Sequence, residues 1–194
     1  MNAETGDNEV INRVLQGDQQ AFAVLVKAYR HFVFTIALRY TGNREDAEEL
    51  AQDVFVKAYR SLADFRHDSK FSTWLYTITV NTSSSFLRKK KTEIHSITNE
   101  RIFELANTAI PVMNRIAMEQ KSKAALMNSV IRLLNADDAT IITLFYEGDQ
   151  SLEEIGQIMG ITSNTAKVKL HRARQRLKEK LSTHFSNELK EMRQ

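Results

Sequence analysis

The sequence predicts an all-α protein: two small helical domains joined by a linker, the C-terminal one containing a helix-turn-helix. Three observations carry that expectation. Only six glycines and one proline interrupt 194 residues, which leaves few places for hairpins. Apolar residues recur at three- and four-residue steps over most of the chain, the period of a helix buried on one face. That period fades over residues 92–117, around Pro111, and resumes from Met118. The expected domains are therefore 1–91 and 118–194, with 92–117 as the linker.

In chain order, Val10, Ile11, Val14 and Leu15 form a short amphipathic stretch stopped by Gly17. Asp18 is placed to cap a long helix whose apolar positions, among them Phe22, Leu25, Tyr29, Val33 and Ile36, run up to Gly42. Asn43 caps a third helix, with Glu45 and Asp46 in the first turn, where the helix dipole favours anions. Its inner stripe is Ala47, Leu50, Ala51, Val54, Ala58 and Leu62. A second face, Glu49, Gln52, Asp53 and Val56, has the same spacing. It reads either as a solvated surface or as a docking surface for a basic partner.

Residues 71–91 read FSTWLYTITVNTSSSFLRKKK. The β-branched middle resembles a strand, which would put Trp74, Tyr76, Ile78 and Val80 on one face. A helix would group Phe71, Leu75, Ile78, Thr82 and Phe86 instead. The one other strand-like run, residues 138–147, lies across the linker and has helical spacing of its own. An isolated strand leaves its backbone unsatisfied, so a helix whose propensity is overridden by packing is expected. It ends in four cations, Arg88, Lys89, Lys90 and Lys91.

Within the linker, the IFELA patch reads as a turn of helix. Beyond it, Ala124, Leu126, Met127, Val130, Ile131, Leu133 and Leu134 belong to one helix. Ile141, Leu144 and Phe145 belong to the next, ending near Gly148. Residues 151–180, SLEEIGQIMGITSNTAKVKLHRARQRLKEK, are the most specific stretch. Ser151 followed by Glu154 is a capping box, and Gly160 stands where a helix stops. Ser163 or Asn164 caps a second helix buried through Ala166, Leu170, Ala173 and Leu177. Two short helices with a three-residue turn make a helix-turn-helix, the second helix suited to a DNA major groove. Lys167, His171, Arg172 and Arg174 are then available to bases and phosphates.

Charge agrees with that assignment. Residues 163–180 hold seven Lys/Arg and one Glu, a balance of +6, while the remainder holds 20 Lys/Arg and 23 Asp/Glu, a balance of −3. Cations concentrated on an acidic chain suggest a polyanionic partner. The absence of cysteine removes disulfide and thiolate chemistry and fits a reducing cytoplasm. No run of 18 apolar residues predicts a membrane span, and MNAETGDNEV lacks the pattern of a secretion signal. Histidines 31, 67, 95, 171 and 184 have no metal-ligand spacing, and no Gly-rich phosphate loop or nucleophile motif occurs. No catalytic residue, cofactor or metal is expected, and the chain is not expected to be an enzyme.

TAKVKLHRARQRLKE resembles the recognition helix of the extracytoplasmic-function (ECF) sigma factors of bacterial RNA polymerase. DAEELAQDVFVKAYRSL and FSTWLYTITVNTSSSFLRKKK resemble that family's second conserved region, and the likeness runs in order from about Asp18 to Lys180. The resemblance implies an N-terminal domain that recognises and melts the promoter −10 element and a C-terminal domain that reads the −35 element. It implies docking of Glu49, Gln52, Asp53 and Val56 on the β′ clamp coiled coil of core RNA polymerase, with the β flap as a further contact. Asn81 matches a position facing the −10 strand, and Arg88, Lys89, Lys90 and Lys91 then hold phosphates. The loop 64–70 matches the segment that receives an unpaired base, where Phe65 is either a stacking platform or a hydrophobic anchor. On the −35 side the implied contacts are Asn164, Thr165, Lys167, Val168, His171, Arg172 and Arg174. The family often has Gly-Thr and Lys/Arg-Ser where this chain has Asn164-Thr165 and Lys167-Val168, which alters the expected base preference. An anti-sigma factor is a further implied partner. The competing reading, a free-standing helix-turn-helix regulator, leaves the acidic face and residues 88–91 unused.

Overall fold

The computed structural model describes residues 3–97 and 123–184. Every regular element among them is helical. The expected IFELA turn, the linker from residue 98 onward and residues 118–122 lie outside the described residues.

The N-terminal domain comprises α1 (Ala3–Leu15), α2 (Phe22–Thr41), α3 (Arg44–Arg60) and α4 (Phe71–Ile97). Asp18 caps a 3-10 turn, Gln19–Ala21, that leads into α2 rather than capping α2 itself; its carboxylate accepts the Ala21 N–H at 3.2 Å. Gly42 ends α2 at φ +74, a conformation that a side chain disfavours. Asn43 then caps α3, accepting the Asp46 N–H at 2.9 Å. Ala47, Leu50, Val54 and Ala58 are buried, as is Leu62 in the 3-10 turn Leu62–Asp64. Ala51 is half-buried. By length and apolarity alone, residues Gln19–Thr41 qualify as a membrane span. Here they form the central helix of the domain, packed against α3 and α4.

The strand-like composition of α4 is explained by its hydroxyls. Thr77 donates to the Thr73 carbonyl at 2.8 Å, Thr79 to that of Leu75 at 2.8 Å and Ser83 to that of Thr79 at 2.7 Å. Each bond runs back four residues along the helix, so β-branched and hydroxyl side chains are buried without orphaned donors. Leu75 is fully buried, Phe71 nearly so, and Trp74 packs on Phe65 and Phe71 with ring centroids 5.3 and 5.6 Å away. Burying such a side chain contributes roughly 1.5–3 kcal/mol, more than the propensity deficit of a Thr or Val in a helix. The helix does not end at Lys91, where the sequence placed the domain boundary; it continues to Ile97.

The C-terminal domain comprises α5 (Lys123–Ile131), α6 (Ala136–Tyr146), α7 (Leu152–Met159) and α8 (Ser163–His184). Leu133 and Leu134 follow α5 in a turn instead of extending it, because Asn135 opens α6 by accepting the Asp138 N–H at 2.9 Å. The capping box is present: Ser151 accepts the Glu154 N–H, and Glu154 accepts the Ser151 N–H. Gly160 adopts φ +66 at the turn. The cap of α8 is neither Ser163 nor Asn164. Thr162 takes that place, its hydroxyl accepting the Thr165 N–H at 3.1 Å.

The two domains share one core. Ile36, Tyr40, Tyr76 and Val80 of the first pack with Ile131, Ala139, Ile142 and Leu144 of the second. Burial pushes the Tyr76 phenol well above its usual range. The approach is close enough to require glycine at position 148, where an added Cβ would sit 2.5 Å from Phe32 Cζ and 2.9 Å from the Leu144 carbonyl oxygen.

Candidate nucleic-acid and docking interfaces

On α8, Ala166, Leu170 and Ala173 turn inward, and this fixes what faces out. Asn164, Thr165, Lys167, Val168, His171, Arg172 and Arg174 are all exposed. The seven expected −35 contacts therefore line the accessible surface of one helix. Thr165 is partly committed, its hydroxyl 2.8 Å from that of Thr162. The Arg174 guanidinium lies 5.1 Å from the Phe145 ring centre and 5.3 Å from that of Tyr146. Such stacking holds the cation in place without removing its charge. Two residues on, Arg176 pairs with the buried Asp138 of α6 and pins α8 to the domain. Arg176 is a scaffold cation, a role invisible in the periodicity.

On the N-terminal domain, Asn81 is exposed between the buried Val80 and Thr82. Arg88 and Lys89 are exposed further along α4, and Arg88 donates to the Ser85 hydroxyl at 3.4 Å. Lys90 is engaged: its ammonium lies 2.6 Å from Asp46 Oδ2 and 5.7 Å from the Phe86 ring centre. That bond, with one from Asn43, holds the Asp46 carboxyl below the usual carboxylate range. The Lys91 side chain is outside the described set. Phe65 is 6% exposed and packs on Phe71, Trp74 and His67. Of the two readings of Phe65, this geometry favours the anchor; the exposed ring in the loop is His67, held at φ +59 with Nδ1 3.0 Å from Asn8 Oδ1.

Glu49, Gln52, Asp53 and Val56 are exposed on α3, opposite Leu50, Val54 and Ala58. Val56, 47% exposed, gives this acidic face an apolar centre. Tyr59, one turn on, lines a groove with Phe22, Val26, Lys27 and Arg30 of α2. No group of three or more His, Cys, Asp or Glu suited to a metal occurs among the described residues.

Three polar contacts between the domains were not legible in the sequence. Arg39, its side chain 4% exposed, reaches from α2 into the C-terminal domain: Nη2 to Asn128 Oδ1 at 3.1 Å, Nε to Thr143 Oγ1 at 3.3 Å, and Glu147 at 3.6 Å. Burial lowers its pKa, with Glu147 opposing. Thr73 donates to Gln150 Oε1 at 3.2 Å in a buried site. Lys70 lies 3.0 Å from Glu154 Oε1. Burial opposes the Glu154 charge, yet the Ser151 N–H and Lys70 together hold its carboxyl below the usual range. The single sign of Arg39 in the sequence is a cation three residues after Ile36, on the apolar second half of α2.

A helical domain with a basic end on α4 is joined to a helix-turn-helix with a cationic outer face, the class of arrangement suited to nucleic acid at two places. Residues 25–93 match sigma-70 region 2 and residues 125–177 match sigma-70 region 4. The chain is 34% identical to the ECF RNA polymerase sigma factor SigW of Bacillus subtilis over 176 residues, covering 88% of this chain and 94% of that protein. It is 33% identical to the ECF RNA polymerase sigma-E factor of Escherichia coli K12 over 187 residues, covering 93% and 97% respectively. Its fold resembles that of the sigma factor RpoE solved in complex with the anti-sigma factor NepR from Bartonella quintana. There the TM-score is 0.67 and the identity 25%, over 84% of this chain and 98% of that one. The chain belongs to the ECF RNA polymerase sigma factors. It is an alternative sigma factor that directs promoter-specific transcription initiation.

Proposed function

We propose that the exposed face of α3, Glu49, Gln52, Asp53 and Val56, docks on the β′ clamp coiled coil of core RNA polymerase, and that the C-terminal domain engages the β flap. Asn81 takes part in opening the −10 element by offering both donor and acceptor to an unpaired base edge. Arg88, Lys89 and Lys91 hold phosphates of the opening duplex, a sequence-independent attraction. Lys90 joins them only by leaving Asp46. Phe65 anchors the loop 64–70, which receives the unpaired base. Asn164, Thr165, Lys167, Val168, His171, Arg172 and Arg174 meet the −35 element in the major groove.

The observation that carries this reading is the exposure of all seven residues on one face of α8 while Ala166, Leu170 and Ala173 hold the helix from behind. The protein acts in the cytoplasm, has no enzymatic activity of its own, and is held by an anti-sigma factor; the RpoE–NepR complex of a relative of the same fold supports that last partner. Run-off transcription with purified core polymerase and a promoter library tests the whole. A specific product that core alone does not give is expected. Its absence, with −35 duplex binding retained, would leave a free-standing helix-turn-helix regulator.

A further inference from the structure

We propose that the groove between α2 and the end of α3 is a single-stranded DNA site, which holds the promoter strand opened at the −10 element beside the loop 64–70. The source of that strand rests on the sigma-factor reading; the test does not. The groove has a volume of about 710 Å³. Its floor is the buried Phe22, with the half-buried Val26 beside it. Tyr59 forms a wall, 39% exposed, its ring meeting that of Phe22 edge to face at 5.1 Å. Contact with a buried ring steadies Tyr59, and its exposed part can take a base, the arrangement of a stacking platform.

Charge decides what kind of occupant the groove takes. None of the residues lining it is acidic, and Lys27 and Arg30 stand on its α2 side without an ion pair among the described residues. Side chains three apart on a helix have Cβ atoms about 5–6 Å from each other, so both cations reach one stretch of a polyanion. α3 is divided in the same sense. Residues 44–53 hold Glu45, Asp46, Glu48, Glu49 and Asp53, while Lys57 and Arg60 flank Tyr59 at the other end. An aromatic ring among cations suits single-stranded nucleic acid, whose bases stack while its phosphates are attracted. Duplex DNA keeps its bases stacked on one another, so it could use the cations but not the ring.

The position of the groove agrees with that occupant. Tyr59 is the penultimate residue of α3, and the turn Leu62–Asp64 leads from there into the loop 64–70. Phe22 on the floor and Phe65, the anchor of the loop, belong to the same buried cluster. A strand held there is kept from re-pairing, so the groove prolongs the open complex. It does not select the promoter, because stacking is sequence-tolerant. Its parts are split between two helices, two cations on α2 and a tyrosine at the end of α3, and so no single motif announces it.

Binding of a fluorescein-labelled oligothymidylate to the full chain, followed by anisotropy over a salt series, tests the site. Lys27→Gln with Arg30→Gln should lower the salt slope by about 1.4, since each phosphate contact to a single strand contributes about 0.7. Tyr59→Leu keeps an apolar side chain against Phe22 but removes the stack. Affinity should then fall about tenfold at an unchanged salt slope, and Tyr59→Phe should restore it. Neither change should alter helix content or the binding of −35 duplex, which belongs to α8. In holoenzyme both should shorten the lifetime of the open complex at unchanged affinity for core polymerase. Failure of the wild-type chain to bind the oligothymidylate would overturn the proposal, as would wild-type binding by the charge variant and Tyr59→Leu alike. Loss of core affinity with single-strand binding retained would also overturn it and make the groove part of the polymerase docking surface. The titrations contain no polymerase, so failed run-off transcription would count against the promoter-directing function and leave them standing.

Discussion

The ammonium of Lys90 lies 2.6 Å from Asp46 Oδ2, tying the second half of α4 to the first turn of α3 across 44 residues of sequence. One of the four consecutive cations therefore has a scaffold role before any DNA arrives. The pair is partly exposed, so its worth is at most about 1 kcal/mol. The Asp46 carboxyl is held below its usual range by Lys90 first and Asn43 second. A depressed carboxylate contributes stability above its unfolded value, near 3.9, and loses it as pH falls through the folded value. Asp46→Asn should thus lower the melting temperature slightly at pH 7, and the difference from wild type should shrink below about pH 4. Thermal unfolding followed by circular dichroism across pH 2.5–7 checks this; a difference independent of pH would mean that the ion pair is not its source.

Polymerase docking is tested at Asp53. The residue is exposed on the face of α3 opposite Leu50 and Val54, so Asp53→Arg leaves the core untouched and reverses one charge of the proposed docking surface. Affinity for core polymerase should fall at least about tenfold, a loss of 1.4 kcal/mol or more, at unchanged helix content. Competition against a labelled sigma factor measures it. Unaltered affinity would remove α3 as the docking helix.

Arg172 separates base reading from phosphate holding. It is exposed on α8 two positions beyond the buried Leu170. Arg172→Ala should cost about 1–3 kcal/mol on the preferred −35 duplex and far less on scrambled DNA, as expected of a bidentate contact to guanine. Lys167→Ala should instead weaken all duplexes alike and lower the salt slope by about one. Titration by fluorescence anisotropy over a salt series measures both. Equal losses on both duplexes would make Arg172 a phosphate contact.

Asn81 lies between Val80 and Thr82, which are buried, but is itself exposed. Asn81→Ala should fold normally, because an exposed helical Asn→Ala change is neutral or slightly favourable by propensity. Open-complex formation should nevertheless fall, and a template with a pre-melted −10 bubble should largely rescue it. Permanganate reactivity of unpaired thymines on both templates is the readout. Wild-type reactivity on the duplex would make Asn81 a bystander, and an equal defect on the bubble would place its contact in the finished open complex.

Local chemistry is what made so much of the fold legible. Asn43 and the Ser151–Glu154 pair bond to backbone groups within three residues, so residue type and spacing suffice to find them. Where two candidates competed at close range the sequence was less reliable. Thr162, not Ser163 or Asn164, caps α8, because all three side chains carry an oxygen able to cap and only the backbone path selects one. The end of α4 was misplaced for a related reason: residues 92–97 lack apolar periodicity, yet the helix set by packing upstream carries on through them. Of the docking and DNA faces, periodicity separated inside from outside correctly, since burial of Leu50 or Leu170 fixes the opposite face by rotation alone.

By itself, then, the sequence determined the helices, the caps at Asn43 and Ser151, the helix-turn-helix and the outward faces of α3 and α8, all of which follow from interactions spanning a few residues. Tertiary structure alone decided which cations are committed to ion pairs within the chain and how the domains meet. Lys90 is drawn to Asp46 and Arg176 to Asp138 across 44 and 38 residues. Arg39, Thr73 and Gly148 find partners more than 70 residues away. No periodicity encodes such pairings, because the free energy that selects them, burial of a shared seam against the dehydration of Arg39, exists only once both domains are folded.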